Sequence, residues 1–194
     1  MIPKFDEYIK EALWKGVIDR SKSNELRKED SNKLTQWLKD AKYNEIDFGL
    51  TSGNLWLSVN YGEMEGNQFG SGLFLTIDEV KEIHELLPPK YKIASEWDLR
   101  ELITHFGFHL SSYSNKYKTS CYYYTNYKEK LRFPLVGTYW GETFSQPSNV
   151  CLFTYDESYE KVKNVILGKD KNIDIRLMDD NSKMRLPIRL IKEK

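Results

Sequence analysis

The sequence predicts an α+β body behind a helical leader, and three observations carry that prediction. Near residue 43 the apolar residues change from helical spacing to alternation. Two helix starts with complete capping signals follow, Thr76 with Glu79 and Ser95 with Asp98, separated by the helix-stopping pair Pro88-Pro89. From Val150 to the end, short alternating runs succeed one another, as in an antiparallel sheet. With 194 residues and 40% hydrophobic content, the chain can build a packed core.

The leader, residues 1–42, reads as a helical tether and linker. Phe5, Tyr8, Ile9, Ala12, Leu13 and Val17 form one stripe, with Pro3 at the helix start. Gly16 and the mixed-charge run Asp19–Asp30 weaken or end it, and that run has the composition of a solvated linker. Leu34, Trp37, Leu38 and Ala41 suggest a second short helix capped by Asp30 or Ser31. Short helices with narrow stripes need a partner surface, either their own body or another chain. Ile9, Leu13, Trp14 and Val17 are the expected anchoring residues.

The body, residues 43–194, opens with a strand at Ile46 and Phe48, a Thr51-Ser52-Gly53-Asn54 turn, and a second strand over Leu55, Leu57 and Val59. Its Trp56 is expected in the core. The glycine-rich stretch Gly62–Gly72 lacks the context of a phosphate-binding loop and reads as a flexible loop. The first capped helix places Val80, Ile83, Leu86 and Leu87 inward. A strand at Tyr91–Ile93 leads to the second helix, whose apolar face is assigned to Trp97, Leu99, Leu102 and Ile103, ending at Gly107. Trp140 is expected in the core. Strands are expected at Val150–Tyr155, Val162–Leu167, Ile173–Met178 and Met184–Ile191, with a turn at 179–182. In the last strand, Met184, Leu186, Ile188 and Leu190 are expected inward against Arg185, Pro187 and Arg189, and Pro187 suggests an edge or a bulge.

Composition narrows the function classes. Lys+Arg and Asp+Glu are both 29, so no global basic field points to nucleic acid or acidic lipid. No apolar window approaches the roughly 20 residues that span a bilayer. The start MIPKFDEYIKEALW lacks the pattern of a signal peptide, so assembly in a cytoplasm is expected. Tyrosine is abundant, 13 residues, and six of them crowd into Ser111–Tyr127. Tyr113, Tyr117, Tyr122, Tyr123, Tyr124 and Tyr127 are mixed there with Ser, Thr and Asn, a mixture that suits either a recognition surface or a tyrosine-rich strand pair.

Catalysis is not expected. Glu101, His105 and His109 have metal-ligand spacing only on one unbroken helix, and Gly107 interrupts it. Gln146-Pro147-Ser148-Asn149 is similar to the sugar-and-calcium word of C-type lectins, but with an extra Ser and no Trp-Asn-Asp partner, so a polar loop is the better reading. Asp156, Glu157 and Glu160 look like turn carboxylates, and Cys121 and Cys151 lie in no recognisable redox motif. No metal site or cofactor is expected.

Several words carry a resemblance. IDFGLTSGNLWLSVNYG is similar to "VDLGLPSGxxWAxxNxG", and YKIASEWDLRELI to "YRIPTxxEWxxLI". LRFPLVG and TYWGET are similar to "LxFPxxG" and "YWSST", and LPIRLIKE to "FSVRxVKD". In this order, over Tyr43–Lys194, they resemble the Fibrobacter succinogenes major paralogous domain. Ala94 stands where that family has Pro, and Trp97 lies two residues ahead of the family's helix Trp. The resemblance implies a C-type-lectin-like fold, two helices on twisted antiparallel sheet with the chain ends close together. The leader words IKEALWKGVIDRSKSNELRKED resemble an N-terminal segment of proteins from crAss-like and other phages of Bacteroides-type bacteria, carried here by Ile9, Glu11, Trp14, Arg20, Ser21 and Arg27–Asp30.

Together these imply a non-enzymatic virion-associated protein, a head or tail fibre or decoration component at the virion surface. Its expected partners are other virion proteins through the N-terminal helices and a host-surface glycan or protein, with homo-oligomerisation left open and no nucleic acid or membrane. Two alternatives stand beside it. One is an oxidase of the formylglycine-generating type, which uses paired cysteines. The other is a cytoplasmic interaction protein of a Bacteroides-type bacterium.

Overall fold

The computed structural model of the chain describes residues 32, 34–40, 43–62, 72–105, 109–110, 121–125, 130–135, 138–140, 143–145, 150–167, 173–177 and 182–194. Among them are three helices and thirteen strands, all ladders between named strands antiparallel. The fold is α+β. The stripe Phe5–Val17, the proposed cap at Asp30 or Ser31, the loop residues 63–71 and Gly107 lie outside the described residues.

Helix α1 covers residues 34–40, the second helix expected in the leader. It is docked on the body: Leu34 and Leu38 are buried in one core with Leu57, Tyr61 and Val80, and Trp37 meets Tyr61 edge-on at 4.7 Å. Strands β1 (Glu45–Asp47) and β2 (Leu55–Asn60) pair with Ile46 opposite Trp56. Their connection contains the expected turn. Gly53 N–H donates to Leu50 O at 2.9 Å, and Gly53 sits at φ +72°, where a side chain would be strained.

Helix α2 (Ile77–Leu86) starts at the predicted capping box, with Thr76 and Glu79 bonding each other's backbone N–H. Strand β3 (Tyr91–Ile93) leads into α3 (Glu96–His105). Ser95 and Asp98 make the matching reciprocal bonds there: Ser95 N–H to Asp98 Oδ2 at 2.8 Å, and Asp98 N–H to Ser95 Oγ at 3.2 Å. The other Asp98 oxygen accepts from Asn54 Nδ2 at 2.8 Å, and Glu101 accepts from Ser52 N–H at 3.0 Å. The Thr51–Asn54 turn is therefore seated on α3. Trp97 corrects an expectation: it is 75% exposed, while Leu99 and Leu102 are buried and Ile103 packs against them. At 100° per residue Trp97 lies about 160° from the Leu99–Leu102–Ile103 stripe, so it faces outward.

The remaining strands are β4 (His109–Leu110), β5 (Cys121–Thr125), β6 (Lys130–Pro134), β7 (Thr138–Trp140), β8 (Thr143–Ser145), β9 (Val150–Asp156), β10 (Lys161–Leu167), β11 (Ile173–Leu177), β12 (Met184–Arg185) and β13 (Arg189–Lys192). They form sheets ordered β1-β2-β13-β3, β11-β10-β9, β12-β7-β8 and β4-β5-β6. The segment 186–188 joins them: Leu186 bridges Leu75, Ile188 bridges Phe153, and Phe153 N–H donates to Pro187 O at 2.9 Å.

Successive residues of the central strands serve two separate cores. Trp56, Leu152, Val165 and Ile191 face one, with α3 and β6, while Leu57, Phe153, Val162 and Leu190 face the other, with α1 and α2. This corrects the expected one-sided pattern of the last strand. Arg189, expected outward, is 1% exposed, because β13 lies between β2 and β3 and both its faces are covered. Pro187 sits in the break between β12 and β13, and β13 carries an irregularity between Arg189 and Ile191 in its pairing with β2. The expected core position of Trp140 is also corrected. It is 58% exposed, closes β7 opposite Thr143, and belongs to neither core.

The two ends of the body are held together. Lys192 Nζ lies 2.8 Å from Glu45 Oε1, and Lys194 Nζ lies 2.6 Å from Asp47 Oδ2.

Candidate functional site

The tyrosine segment enters the structure through β5. Its register places Tyr122 opposite Phe133, Tyr123 opposite Arg132 and Tyr124 opposite Leu131. Tyr113, Tyr117 and Tyr127 lie outside the described residues, as do the anchoring residues Ile9, Leu13, Trp14 and Val17. The backbone of β5 is set by β6, whose Leu131 and Phe133 are fully buried while Arg132 between them is exposed.

β6 is in turn held by Arg189. One guanidinium nitrogen donates to Leu57 O at 2.7 Å and another to Arg132 O at 2.6 Å. The same group lies 4.7 Å from the centre of the Phe133 ring, and Phe133 meets Trp56 edge-on at 6.3 Å. A buried charge is costly unless its hydrogen bonds are made, and here the planar fork spans two strands of different sheets. The carbonyl dipoles and the aromatic face both favour the cation. Arg189 thus fixes the platform on which the tyrosine strand lies, a role its position in an alternating strand did not reveal.

The chemistry weighed from sequence resolves residue by residue. Helix α3 ends at His105, and His109 belongs to β4, so the unbroken helical face that a Glu101–His105–His109 metal site requires is absent. Glu101 is engaged by the Thr51–Ser52 turn. Burial works to raise its carboxyl, but hydrogen bonds from Ser52 and the turn backbone outweigh that and hold it below the usual range. Cys151 is a buried thiol among apolar residues, and burial pushes its pKa up to about 11. At neutral pH such a group is almost wholly protonated and a poor nucleophile. Asp156 makes a turn, as expected, accepting from Ser158 N–H at 3.2 Å. Residues 146–149 lie outside the described residues.

A second surface was not anticipated. Lys163 Nζ lies 2.8 Å from Asp156 Oδ2 and 3.1 Å from Glu96 Oε2, tying the β9–β10 hairpin to the first turn of α3. Arg100 Nε completes the set, 2.8 Å from Glu96 Oε1. The Lys163 bond holds the Asp156 carboxyl below its ordinary range, and the Asp156 bond raises Lys163. For Glu96, burial acts upward, but the bonds from Arg100 and Lys163 prevail and lower it. Beside this network stand Trp97, next to Glu96, and Tyr159, 74% exposed in the turn that follows Asp156. The angular position of Trp97 on α3 was legible in the sequence; the meeting of Lys163 with Glu96, 67 residues apart, was not.

No family model matches this chain, and no curated protein or solved structure matches it.

Proposed function

We propose that the protein is a non-enzymatic binding module with a C-type-lectin-like body, a virion-associated component of a phage of Bacteroides-type bacteria. The observation that carries the reading is the ordered run of sequence words over Tyr43–Lys194, together with the phage-like leader words over Ile9–Asp30. Two further features support it. The body has two capped helices and antiparallel sheet, and its ends are joined through Lys192–Glu45 and Lys194–Asp47. The protonated, buried state of Cys151 weighs against the paired-cysteine oxidase.

In this reading the leader anchors the chain to other virion proteins and the body faces outward. The segment carrying Tyr113, Tyr117, Tyr122, Tyr123, Tyr124 and Tyr127 meets a host-surface glycan or protein, with Tyr123, opposite the exposed Arg132, on the other face of β5 from Tyr122 and Tyr124. Tyrosine serves such contacts because it presents a large, stiff, amphipathic area at small entropic cost. Deposition on the virion needs no secretion, because lysis releases the particle.

Mass spectrometry of purified particles is the test. The chain should copurify with the capsid at a fixed stoichiometry, and a form lacking residues 1–30 should remain folded but be missing from particles. Detection of the chain only in the cell lysate, with none on particles, would favour the cytoplasmic interaction protein.

A further inference from the structure

The sheet β11-β10-β9 ends on one side in β11, and that strand differs from the molecule's other sheet edges. An edge strand turns a row of backbone N–H and C=O groups out of its sheet, and folds blunt such edges with short strands, proline, bulges or a covering element. Among the described residues, β1, β3 and β8 have three residues each, and β4 and β12 have two. β6 ends in Pro134 and is tied to β2 through Arg189, and β9 is bridged at Phe153 by Ile188. β11 has five residues, Ile173–Leu177, with no Pro or Gly. Its ladder with β10 runs from Lys163–Leu177 to Leu167–Ile173 without a shift of register, and no described strand pairs with its other side.

The sequence of β11 favours one occupant for that edge. Ile-Asp-Ile-Arg-Leu is self-complementary when paired antiparallel about its middle residue. A two-fold axis through Ile175 sets position 173 opposite 177 of a second copy, and 174 opposite 176. Asp174 then meets Arg176, and by symmetry this unlike pair occurs twice. An axis through position 174 or 176 would set Asp against Asp or Arg against Arg, and like charges directly opposite are destabilising. Positions alternate along a strand, so 174 and 176 share one face and 173, 175 and 177 the other. Asp174 is exposed, whereas Ile175 packs against the core of Trp56 and is only partly buried. A second strand along β11 would set the same residue of the other copy beside Ile175 and carry the apolar face on from one copy to the next.

We infer that β11 is a pairing edge for a second copy of this chain. Two β11 strands join antiparallel about Ile175, and the two three-stranded sheets become one, with Asp174–Arg176 pairs on one face. Five residues a side make a small interface, so monomer and dimer exchange and the mean mass rises with concentration. The edge is separate from the tyrosine strand and does not depend on the protein's place on a particle.

Sedimentation velocity of the full chain between about 1 μM and 1 mM is the test. The wild type should pass from the mass of one chain to twice that mass. Asp174→Arg sets Arg opposite Arg, and Arg176→Asp sets Asp opposite Asp. Each should raise the dissociation constant of the dimer about tenfold. The double variant restores unlike pairs in reverse order and should recover the dimer. An equimolar mixture of the two single variants should form a mixed dimer, since each offers the charge that the other lacks. The mixture separates pairing between chains from effects within one strand, and unchanged urea midpoints show that the variants remain folded. The inference is overturned if the wild type stays a single chain across the range, if both single variants dimerise as wild type does, or if the double variant or the mixture fails to recover the dimer.

Discussion

Trp56 and Trp97 occupy regions built from the same kinds of residue and used in opposite ways. Around Trp56, an aromatic pair and a cation are sealed inside: Phe133 packs edge-on, and Arg189 lies over Phe133 with two of its nitrogens donating to the carbonyls of Leu57 and Arg132. Around Trp97, the cation Lys163 is spent on carboxylates, and the two aromatic side chains are left to solvent. The difference is one of partner. Carbonyls joined through a buried guanidinium hold sheets together across the core. Carboxylates joined through a mostly covered ammonium hold two surface elements in register.

The sharpest way to test this contrast is to truncate both tryptophans. Trp56→Ala removes a fully buried indole from the core shared by β2, β6 and β9 and should cost about 3–5 kcal/mol. Trp97→Ala removes an exposed side chain and should change stability by less than about 0.5 kcal/mol. Urea unfolding of the two variants gives both values; similar losses at the two sites would erase the distinction between core and surface.

A smaller but still large effect is expected at Arg189. Arg189→Met keeps much of the volume but removes two hydrogen bonds from a charged donor, leaving Leu57 O and Arg132 O without them. A loss of about 2–4 kcal/mol is expected from such bonds. Because Arg132 lies in β6, amide hydrogen exchange of β5 and β6 should rise more than that of β10 and β11. An even rise across all four strands would mean that Arg189 stabilises the whole body and has no special hold on the tyrosine strand.

What the sequence disclosed follows how local each determinant is. The caps at Thr76 and Ser95 were legible because cap and partner are three residues apart. The hairpin seating Trp56 was legible because a turn and two alternating runs specify it. The outward position of Trp97 was present in the helical angles, but the abundance of apolar neighbours drew it into the stripe. Arg189 was misplaced for a different reason. An alternating strand declares its second face polar only when that face meets water, and strand order is a tertiary fact. Trp140 failed in the same way, since nothing local tells a hairpin's end from its centre. For the candidate sites, the tyrosine segment stood out by composition. The α3–hairpin edge did not, because it depends on Lys163 finding Glu96 across the fold.

The smallest effect concerns that edge and depends on pH. Glu96 and Asp156 are held below the ordinary carboxylate range, so their contribution to folding is fully present above the unfolded values and is lost as pH falls through the folded ones. Lys163 is raised, so its contribution is present below its unfolded value and fades only as pH climbs through the higher folded one. Between these limits all three groups are charged and the network is intact. Lys163→Met should therefore cost about 1 kcal/mol near neutral pH, as ion pairs that keep some contact with solvent do. The gap in urea midpoint between wild type and variant should close below the carboxylate range, as protonation of Glu96 and Asp156 removes from the wild type what the substitution removed from the variant.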